Sequence, residues 1–280
     1  MIDSTSAITA GVTIAALQRQ SLLDGLDYRV LLCHALELNR IALITQSERA
    51  LTADEAQRFA ALVQRRLDGE PIAYIVGQRE FFGLPFEVGS AVLIPRPDTE
   101  LLVELTLDRL PLNGRALDMG TGSGAIAVAL AHTRRDADIT ALDVSADALA
   151  VARRNADANH ARVTFLQSDW YAALQGAAPF DVIASNPPYI ASGDHHLSEG
   201  DLRYEPVGAL TDHADGLSAL RVIIAGAPPH LTPQGWLLME HGYDQAQAVR
   251  ELLTAAGYAD VRSWQDLAGI ERVSGGRLKS

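Results

Sequence analysis

Alternating strand-like and helix-like segments beyond residue 114 constrain the fold more than any other feature of this sequence. Apolar runs such as "RALDM" (115–119) and "DVIAS" (181–185) have the length and composition of buried strands. The segments between them, such as "GAIAVALAHT" (124–133), have the character of helices. Strands that alternate with helices are typical of a mainly parallel sheet covered by helices on both faces. We therefore predict an α/β domain over residues 96–280.

The first part of the chain shows only helical patterns. The stretch "DYRVLLCHALEL" (27–38) repeats apolar residues at helical spacing. The stretch "TADEAQRFAALVQRRL" (52–67) opens with Thr52 and has Glu55 three residues later, which is the signature of a capping box. We predict a small helical domain over residues 1–72.

The pattern changes at Pro71. In "IAYIVGQREFFGLPFEVG", short apolar runs are interrupted by Gly77, Gly83 and Pro85. Such punctuation is typical of β-hairpins. We therefore predict a β-hairpin linker over residues 73–95, between the two domains.

The composition restricts the partners of the protein and its location. Lys and Arg number 23 against 35 Asp and Glu, and the formal net charge of −12 disfavours general binding to DNA or RNA. Cys33 is the only cysteine, which excludes an internal disulfide and a Cys-rich zinc site, and we expect no metal. No apolar run approaches the ~18 residues of a membrane span, and residues 1–20 lack the pattern of a signal peptide. We expect a cytoplasmic protein without a membrane partner, and a monomer is the working expectation.

Chemically specialised residues follow four of the predicted strands. A glycine-rich loop follows the first strand, an acidic residue the second, an acidic–aromatic pair the third and Asn-Pro-Pro-Tyr the fourth. In open α/β sheets, ligands bind outside the carboxyl ends of the strands, and these ends meet at one edge. We therefore predict one ligand site there. The candidate cofactor-binding residues at this edge are Asp118, Gly120, Thr121, Gly122, Ser123, Gly124, Asp143, Asp169, Trp170 and Asn186.

The glycine loop and the acidic residue after the second strand are compatible with more than one cofactor. Glycines let a backbone approach a ligand closely, although such turns also simply pack a helix on a strand. Gly120, Gly122 and Ala125 loosely fit the G-x-G-x-x-A pattern of nicotinamide cofactor sites. Asp143 can accept hydrogen bonds from both hydroxyls of a ribose, or it can cap the following helix. Because both cofactor classes contain a ribose, Asp143 does not separate them.

The other acidic and aromatic candidates also have two interpretations. Asp169 can accept a hydrogen bond from the amino group of an adenine, with the flat ring of Trp170 nearby, or the pair is a solvated aspartate beside a core tryptophan. Asp118 can reach an amino-acid ammonium group, or it can hydrogen-bond its own loop.

The segment Asn186-Pro187-Pro188 is unusually stiff for the end of a strand. Proline fixes φ, has no N–H donor and restricts the residue before it. The segment therefore offers acceptors, the side-chain oxygen of Asn186 and the main-chain oxygen of Pro187, without competing proline donors. Such a pocket suits a planar NH2 group, which has two donors to place, and Tyr189 can lie against its flat face. The alternative is a rigid surface turn.

The same arrangement addresses the low reactivity of an amide nitrogen. Its lone pair is delocalised into the carbonyl group, so it is a poor nucleophile. Two fixed acceptors can hold both N–H bonds and direct the lone pair at an electrophile. The motif thus favours chemistry on an NH2 nitrogen.

The motifs after the first and fourth predicted strands resemble those of a known family. "LDMGTGSGAIAVALA" and "SNPPYI" resemble S-adenosyl-L-methionine-dependent methyltransferases that modify exocyclic or amide nitrogens. "REFFGLPFEV", "VLIPRPDTELLVE", "DLRYEP" and "DLAGIERV" extend the resemblance to the protein-glutamine methyltransferases of peptide chain release factors, the HemK/PrmC family, over about residues 27–275. The resemblance implies a Rossmann-like class I methyltransferase domain with a seven-stranded sheet, a small N-terminal helical domain and a hairpin linker.

The resemblance also implies a reaction and a set of roles. The methyl group of S-adenosyl-L-methionine would pass by direct in-line transfer to the side-chain nitrogen of the glutamine in the Gly-Gly-Gln motif of release factors, leaving S-adenosyl-L-homocysteine. The N-terminal domain would grip the release factor. Residues implied as catalytic are Asn186, Pro187 and Tyr189, and those implied in substrate binding are Asn186, Pro187, Pro188, Tyr189, Arg96 and Glu100.

Three alternatives remain beside this interpretation. A methyltransferase of adenine or guanine amines would use the same Asn-Pro-Pro-Tyr acceptors, but the net charge of −12 weighs against a nucleic-acid substrate. A nicotinamide-dependent oxidoreductase explains the glycine loop and leaves Asn-Pro-Pro-Tyr without a role. A non-catalytic module of the same fold predicts the loss of site residues, and the expected ones are present.

Overall fold

The computed structural model describes residues 7–19, 23–198 and 200–279, and the chain divides into two compact units, 1–77 and 78–280. Residues 1–6, part of the stretch for which no signal peptide is expected, lie outside the described residues. The helices of the first unit are α1 Ile14–Arg19, α2 Gly25–Leu36, α3 Arg40–Thr45, α4 Ala53–Leu67 and α5 Ile72–Val76.

The first unit is held together by an apolar core between its helices. The rings of Tyr28 in α2 and Phe59 in α4 meet edge to face, with centroids 5.0 Å apart, and both are fully buried. The capping box at the start of α4 is confirmed: the Thr52 hydroxyl accepts from the Glu55 amide at 3.2 Å, and the Glu55 carboxylate accepts from the Thr52 amide at 2.9 Å. The predicted helices over 27–38 and 52–67 are therefore confirmed as α2 and α4.

The prediction of hairpin structure immediately after Pro71 is wrong for the first residues of that segment. Ile72–Val76 form α5, and Gly77, with φ of 74°, ends it as a left-handed cap. Gly77 thus stops a helix rather than a strand. The hairpin follows as β1 Gln78–Phe81 and β2 Leu84–Glu87, which pair antiparallel and belong to the second unit.

Among the described residues of the second unit, seven strands form one sheet in the order β5-β4-β3-β6-β7-β9-β8. Strands β3 to β7 run parallel, whereas β9 is antiparallel to both of its neighbours. The predicted seven-stranded Rossmann-like sheet is confirmed. The strands are β3 Arg115–Met119, β4 Asp138–Asp143, β5 Val163–Gln167, β6 Phe180–Ser185, β7 Leu231–Glu240, β8 Ala259–Gln265 and β9 Glu271–Arg277.

Helices cover both faces of this sheet. Successive residues of β6 alternate between the two apolar cores, with Val182 on the side of α6 and α7 and Ile183 on the side of α10 and α11. No helix in the described residues is long and apolar enough to cross a membrane. The helices of the second unit are α6 Thr99–Arg109, α7 Ala125–Thr133, α8 Ala146–Ala158, α9 Val207–Leu210, α10 Ser218–Gly226 and α11 Ala246–Ala255.

The order of the strands determines where a ligand can bind. From β3 the chain moves outward through β4 to β5, then returns to place β6 on the other side of β3. The loops that follow β3 and β6 therefore diverge and leave a crevice at the carboxyl edge, which is the usual ligand position in such folds.

Asn155 ties the hairpin to the body of the second unit. It is 1% exposed, and its side-chain oxygen accepts from the Glu87 amide at 2.7 Å. Its side-chain nitrogen donates to the carbonyl oxygens of Glu87 at 3.0 Å and Ser123 at 2.8 Å. One buried amide thus joins β2, α8 and the glycine loop.

Replacing Asn155 by alanine is expected to lower the free energy of unfolding by about 3 kcal/mol, because buried backbone groups lose their partners. The neighbouring Arg154→Ala is the matched control, since it removes a half-exposed ion pair with the same Glu87 and should cost less than about 1 kcal/mol. Urea unfolding of both variants measures the difference. Equal losses of unfolding free energy in the two variants would contradict the assignment of Asn155 as the main residue that holds the hairpin in place.

Candidate active site

A cavity of about 380 Å³ lies at the carboxyl edge of the sheet, beyond β3, β4, β5 and β6. Its size falls within the range of small-molecule sites. The predicted site residues that line it are Arg96, Gly120, Thr121, Gly122, Ser123, Asp143, Asp169, Trp170, Asn186, Pro187 and Pro188. The predicted residues outside its lining are Glu100, Asp118, Gly124 and Tyr189.

The glycines of the loop after β3 have different roles. Gly120 and Gly122 have φ of 75° and 54°, and a Cβ built on either would meet no atom within 4 Å. Their backbone is therefore open to a ligand. Gly124 is different, because a Cβ there would lie 3.1 Å from the Cβ of Ala152. Gly124 lets α7 pack against α8, so both interpretations of the glycine loop apply, each to different residues.

Asp143 shapes the loop and also lines the cavity. One of its oxygens accepts from the Gly122 amide at 2.9 Å, and the other accepts from the Ser145 amide at 2.9 Å. Ser145 in turn caps α8 by accepting from the Ala148 amide. The alternative that Asp143 itself caps the following helix is wrong, because Ser145 is the N-cap of α8. The role of Asp143 as a ribose acceptor stays a prediction.

Asp118 lies behind the glycine loop rather than in the cavity. It is fully buried, and Oδ2 accepts from the Thr121 hydroxyl at 2.6 Å and from the Ala127 amide at 3.1 Å. Burial raises the pKa of this carboxyl to about 7. Oδ1 has no hydrogen-bond partner, so one acceptor is still available beside the loop. The contact with an amino-acid ammonium group stays a prediction.

Asp169 and Trp170 lie on a tight turn after β5. Trp170 has a left-handed φ of 46°, and its carbonyl oxygen accepts from the Ser168 hydroxyl at 2.6 Å. The same hydroxyl accepts from the Ala173 amide at 2.9 Å. Ser168 thus holds the turn that brings the exposed Asp169 and the partly buried Trp170 to the cavity.

Asn186 is oriented by a residue that the sequence interpretation gave no role. Its side-chain nitrogen donates to the hydroxyl of Thr99, the first residue of α6, at 3.1 Å. Thr99 is 4% exposed and also lines the cavity. With its nitrogen engaged, Asn186 can accept a hydrogen bond only through its side-chain oxygen, and the role of that oxygen as an acceptor for an NH2 group stays a prediction.

Tyr189 contacts a second residue that was missed. Its hydroxyl donates to Oε1 of Glu240 at 3.4 Å. Glu240 ends β7 and is 2% exposed, so the rule that located the other site residues, the carboxyl end of a parallel strand, also points to it. Burial raises the pKa of the Glu240 carboxyl to about 7, and the nearby hydroxyl of Thr99 acts in the opposite direction. The predicted stacking of Tyr189 on an NH2 group stays a prediction.

Arg96 lines the cavity and forms an ion pair with a buried carboxylate. The carboxylate of Glu205 pairs with Arg96 and accepts from the Ile94 amide at 2.9 Å. Glu205 is 3% exposed, and burial raises its pKa. The following residues, among them Pro206 and Ala209, line the cavity, so Glu205 fixes this wall to the 94–96 segment.

Glu100 is engaged away from the cavity. Its carboxylate accepts from the Phe82 amide at 2.8 Å. Phe82 has a left-handed φ of 52° in the turn of the hairpin. Glu100 thus connects α6 to the hairpin, and its role in substrate binding stays a prediction.

Comparison with known proteins places both units in known groups. The family model "Methyltransferase small domain" matches residues 96–200, and "PrmC N-terminal domain" matches residues 13–77. A "Release factor glutamine methyltransferase" of Burkholderia pseudomallei is 57% identical over 95% of this chain and 96% of its own length. The protein of the same name from Neisseria gonorrhoeae is 49% identical over 92% and 94%.

Solved structures share the fold at lower identity. A methyltransferase from Pyrococcus furiosus has a TM-score of 0.55 at 22% identity, covering 79% of this chain and all of its own. The T. thermophilus 16S rRNA N2 G1207 methyltransferase, solved with AdoMet and guanosine, has a TM-score of 0.52 at 20% identity, covering 72% and 50%. These likenesses show a methyltransferase fold.

Glu240→Gln is expected to change the pH dependence of stability. A carboxyl whose pKa rises from 4.5 to about 7 on folding destabilises the protein as pH increases through that range. Glutamine stays neutral, so the variant should gain up to about 3 kcal/mol relative to the parent protein between pH 4.5 and 7. Urea unfolding across this range measures it. Asp118 and Glu205, whose pKa values burial also raises, are present in both proteins and cancel in the comparison. Parallel curves of unfolding free energy against pH would contradict the effect of burial on the pKa of Glu240.

Proposed function

The chain belongs to the release factor glutamine methyltransferase family, and we propose that it methylates the side-chain amide nitrogen of the glutamine in the Gly-Gly-Gln motif of peptide chain release factors. The methyl donor is S-adenosyl-L-methionine. The observation that carries the proposal is that the open glycine backbone after β3 and the Asn-Pro-Pro segment after β6 line the same cavity. A substrate that acts in translation is consistent with the expected cytoplasmic location.

The residues around the cavity fit this cofactor. The backbone at Gly120 and Gly122 has the free space that a close ligand needs. Because Asp143, Asp169 and Trp170 line the cavity, we assign Asp143 to the ribose and the other two to the adenine. We assign the ammonium group to Oδ1 of Asp118, which has no hydrogen-bond partner and lies behind the glycine loop. When bound, S-adenosyl-L-methionine supplies an electrophilic methyl group and leaves as S-adenosyl-L-homocysteine.

The Asn-Pro-Pro segment prepares the amide nitrogen. The side-chain oxygen of Asn186 and the main-chain oxygen of Pro187 accept the two N–H bonds of the glutamine side chain. These hydrogen bonds strengthen as the nitrogen becomes positive, which lowers the barrier to direct transfer. Fixed alignment of two reactants can contribute roughly 7–11 kcal/mol. The nitrogen loses its extra proton to water after the transfer, so no general base is needed at the start.

Recognition of a whole release factor involves more than the cavity. The first unit belongs to the "PrmC N-terminal domain" group, and we assign it the role of gripping the release factor away from the reacting glutamine. The acidic net charge of −12 disfavours a nucleic-acid substrate held by its phosphates. The proposal therefore has a protein partner and no direct nucleic-acid partner.

Mass spectrometry of a bacterial release factor incubated with this protein and S-adenosyl-L-methionine tests the proposal. We expect one added methyl group on the glutamine of the Gly-Gly-Gln peptide. The control is the same mixture without the cofactor. An unmodified peptide, although the cofactor raises the melting temperature of the protein, would overturn the proposed substrate and favour an amine of adenine or guanine.

Asn186→Ala should lower kcat for this methylation on the order of 10²-fold or more, because one of the two acceptors that align the nitrogen is lost. Asn159→Ala is the matched control. Asn159 is a buried asparagine of the second unit, whereas Asn186 is partly buried. The Asn159 side chain hydrogen-bonds Pro85 and Asn155 and does not line the cavity. The control should lose stability and keep turnover. Near-normal turnover in Asn186→Ala would contradict the mechanism in which two acceptors align the amide nitrogen.

A further inference from the structure

We propose that Thr99 and Glu240 form a hydrogen-bond relay that fixes which way the side-chain amide of Asn186 faces, and thereby selects an NH2 donor as substrate. The relay consists of Asn186, Thr99, Glu240 and Tyr189. This inference rests on the proposed function and adds two positioning residues to it. Neither Thr99 nor Glu240 is required to touch the reacting nitrogen.

Three elements bring the relay together. Thr99 begins α6, Glu240 ends β7, and Asn186 and Tyr189 follow β6, which pairs in parallel with β7. The side-chain nitrogen of Asn186 donates to Thr99 Oγ1 at 3.1 Å, and the Tyr189 hydroxyl donates to Glu240 Oε1 at 3.4 Å. The Thr99 hydroxyl lies close enough to the Glu240 carboxylate to lower its pKa. Glu240 thus bonds Tyr189 directly and is influenced by Thr99, the residue that holds Asn186.

The direction of the hydrogen bonds follows from the number of donors. A carboxylate only accepts, and a hydroxyl has one hydrogen to donate. When the Thr99 hydrogen points to Glu240, the Thr99 oxygen accepts from the Asn186 nitrogen, and the Asn186 oxygen faces the substrate. If the Thr99 hydrogen pointed to Asn186, the amide would turn over. An NH2 group would then face the NH2 group of the substrate, and donor would meet donor.

The condition of Glu240 is difficult to explain as a purely structural feature. Its side chain is almost fully buried, and Oε2 has no partner that meets hydrogen-bond geometry. An unsatisfied buried acceptor costs stability. The Thr99 hydroxyl offsets part of this cost, because its hydrogen-bonding influence lowers the pKa of the Glu240 carboxyl.

The surroundings of Glu240 leave its charge finely balanced. Asp98 repels a negative charge at this position, whereas Arg272 attracts it. Arg272 is itself shared with Asp98 at 3.4 Å and Asp266 at 3.0 Å. Tyr189 is neutral, because burial raises its pKa. The relay needs the carboxylate form, so its ionisation near pH 7 couples the relay to pH.

Thr99→Val tests the relay directly, because it keeps the shape of the side chain and removes the hydroxyl. We expect kcat for release-factor methylation to fall on the order of 10²-fold, with the Kd of S-adenosyl-L-methionine changed by less than about 3-fold, which is under 1 kcal/mol. Thr99→Ser should restore most of kcat. Thr106→Val is the matched control, since Thr106 is a fully buried threonine of the same helix whose hydroxyl donates only to Leu102.

Glu240→Gln supplies the second variant. A glutamine amide can donate to the Thr99 oxygen, which turns the Thr99 hydrogen toward Asn186, so kcat should fall as in Thr99→Val. The parent enzyme should gain kcat as pH rises through about 7, because the ionised form of Glu240 is the active one. This rise should be absent from Glu240→Gln and present in Thr106→Val.

A readout without substrate separates the relay from the proposed function. In a ¹H–¹⁵N spectrum, the side-chain amide of Asn186 should be shifted and slow to exchange in the parent protein. Both properties should be lost in Thr99→Val, which removes the acceptor, and in Glu240→Gln, which removes the carboxylate that orients it. If this signal behaves as expected and no glutamine is methylated, the proposed function fails while the relay stands. If methylation is normal and both variants keep kcat within about 3-fold, the relay is overturned. Equal losses in Thr99→Val and Thr106→Val would overturn it as well.

Discussion

The site depends on the parallel pairing of β3 with β4 and β6, which brings the ends of the three strands to the same edge of the sheet. Met119 ends β3 and pairs with Leu142 on one side and Ser185 on the other. The buried Ser185 hydroxyl donates to the Met119 carbonyl at 2.7 Å, so the end of β6 is pinned to the last peptide before the glycine loop. Because parallel strands side by side fix the spacing of their ends, the glycine loop and the Asn-Pro-Pro segment are held at one distance from each other.

Three buried carboxylates surround this crevice, and each shows the balance between stability and function. Asp118, Glu205 and Glu240 all have a pKa raised by burial, which means that folding disfavours their charge. Apolar residues at such positions would stabilise the fold. Each carboxylate instead holds a donor that the site uses: Asp118 holds the glycine loop, Glu205 holds a cavity wall and Glu240 holds the relay. The loss of stability that comes from burying these carboxylates is therefore concentrated where the orientation of site residues matters, as is common at functional sites.

The residues that the sequence could and could not reveal differ in a physical respect. Strands and helices are encoded locally, so the α/β pattern and the four strand ends were readable from short runs. Gly77 is ambiguous in the sequence, because a glycine after an apolar run can end either a strand or a helix. Glu205 and Ile94 are 111 positions apart, so only the fold reveals them as partners. Glu240 differs, because it ends a parallel strand and its position at the carboxyl edge follows from the same rule as the other four strand ends.

The cavity alone does not determine the substrate. Two acceptors beside a flat ring suit the NH2 group of a glutamine and that of an adenine equally, since both present two donors in a plane. The relay makes the site selective for NH2 donors as a group, and a tenfold preference within that group requires a further 1.4 kcal/mol from contacts elsewhere. Phosphate contacts are disfavoured by the acidic chain. Contacts with a folded protein substrate, made at a distance from the reacting nitrogen, can supply that energy and raise the effective concentration of one glutamine. The division of this chain into two units suits the proposed arrangement, in which one unit carries the chemistry and the other recognises the protein substrate.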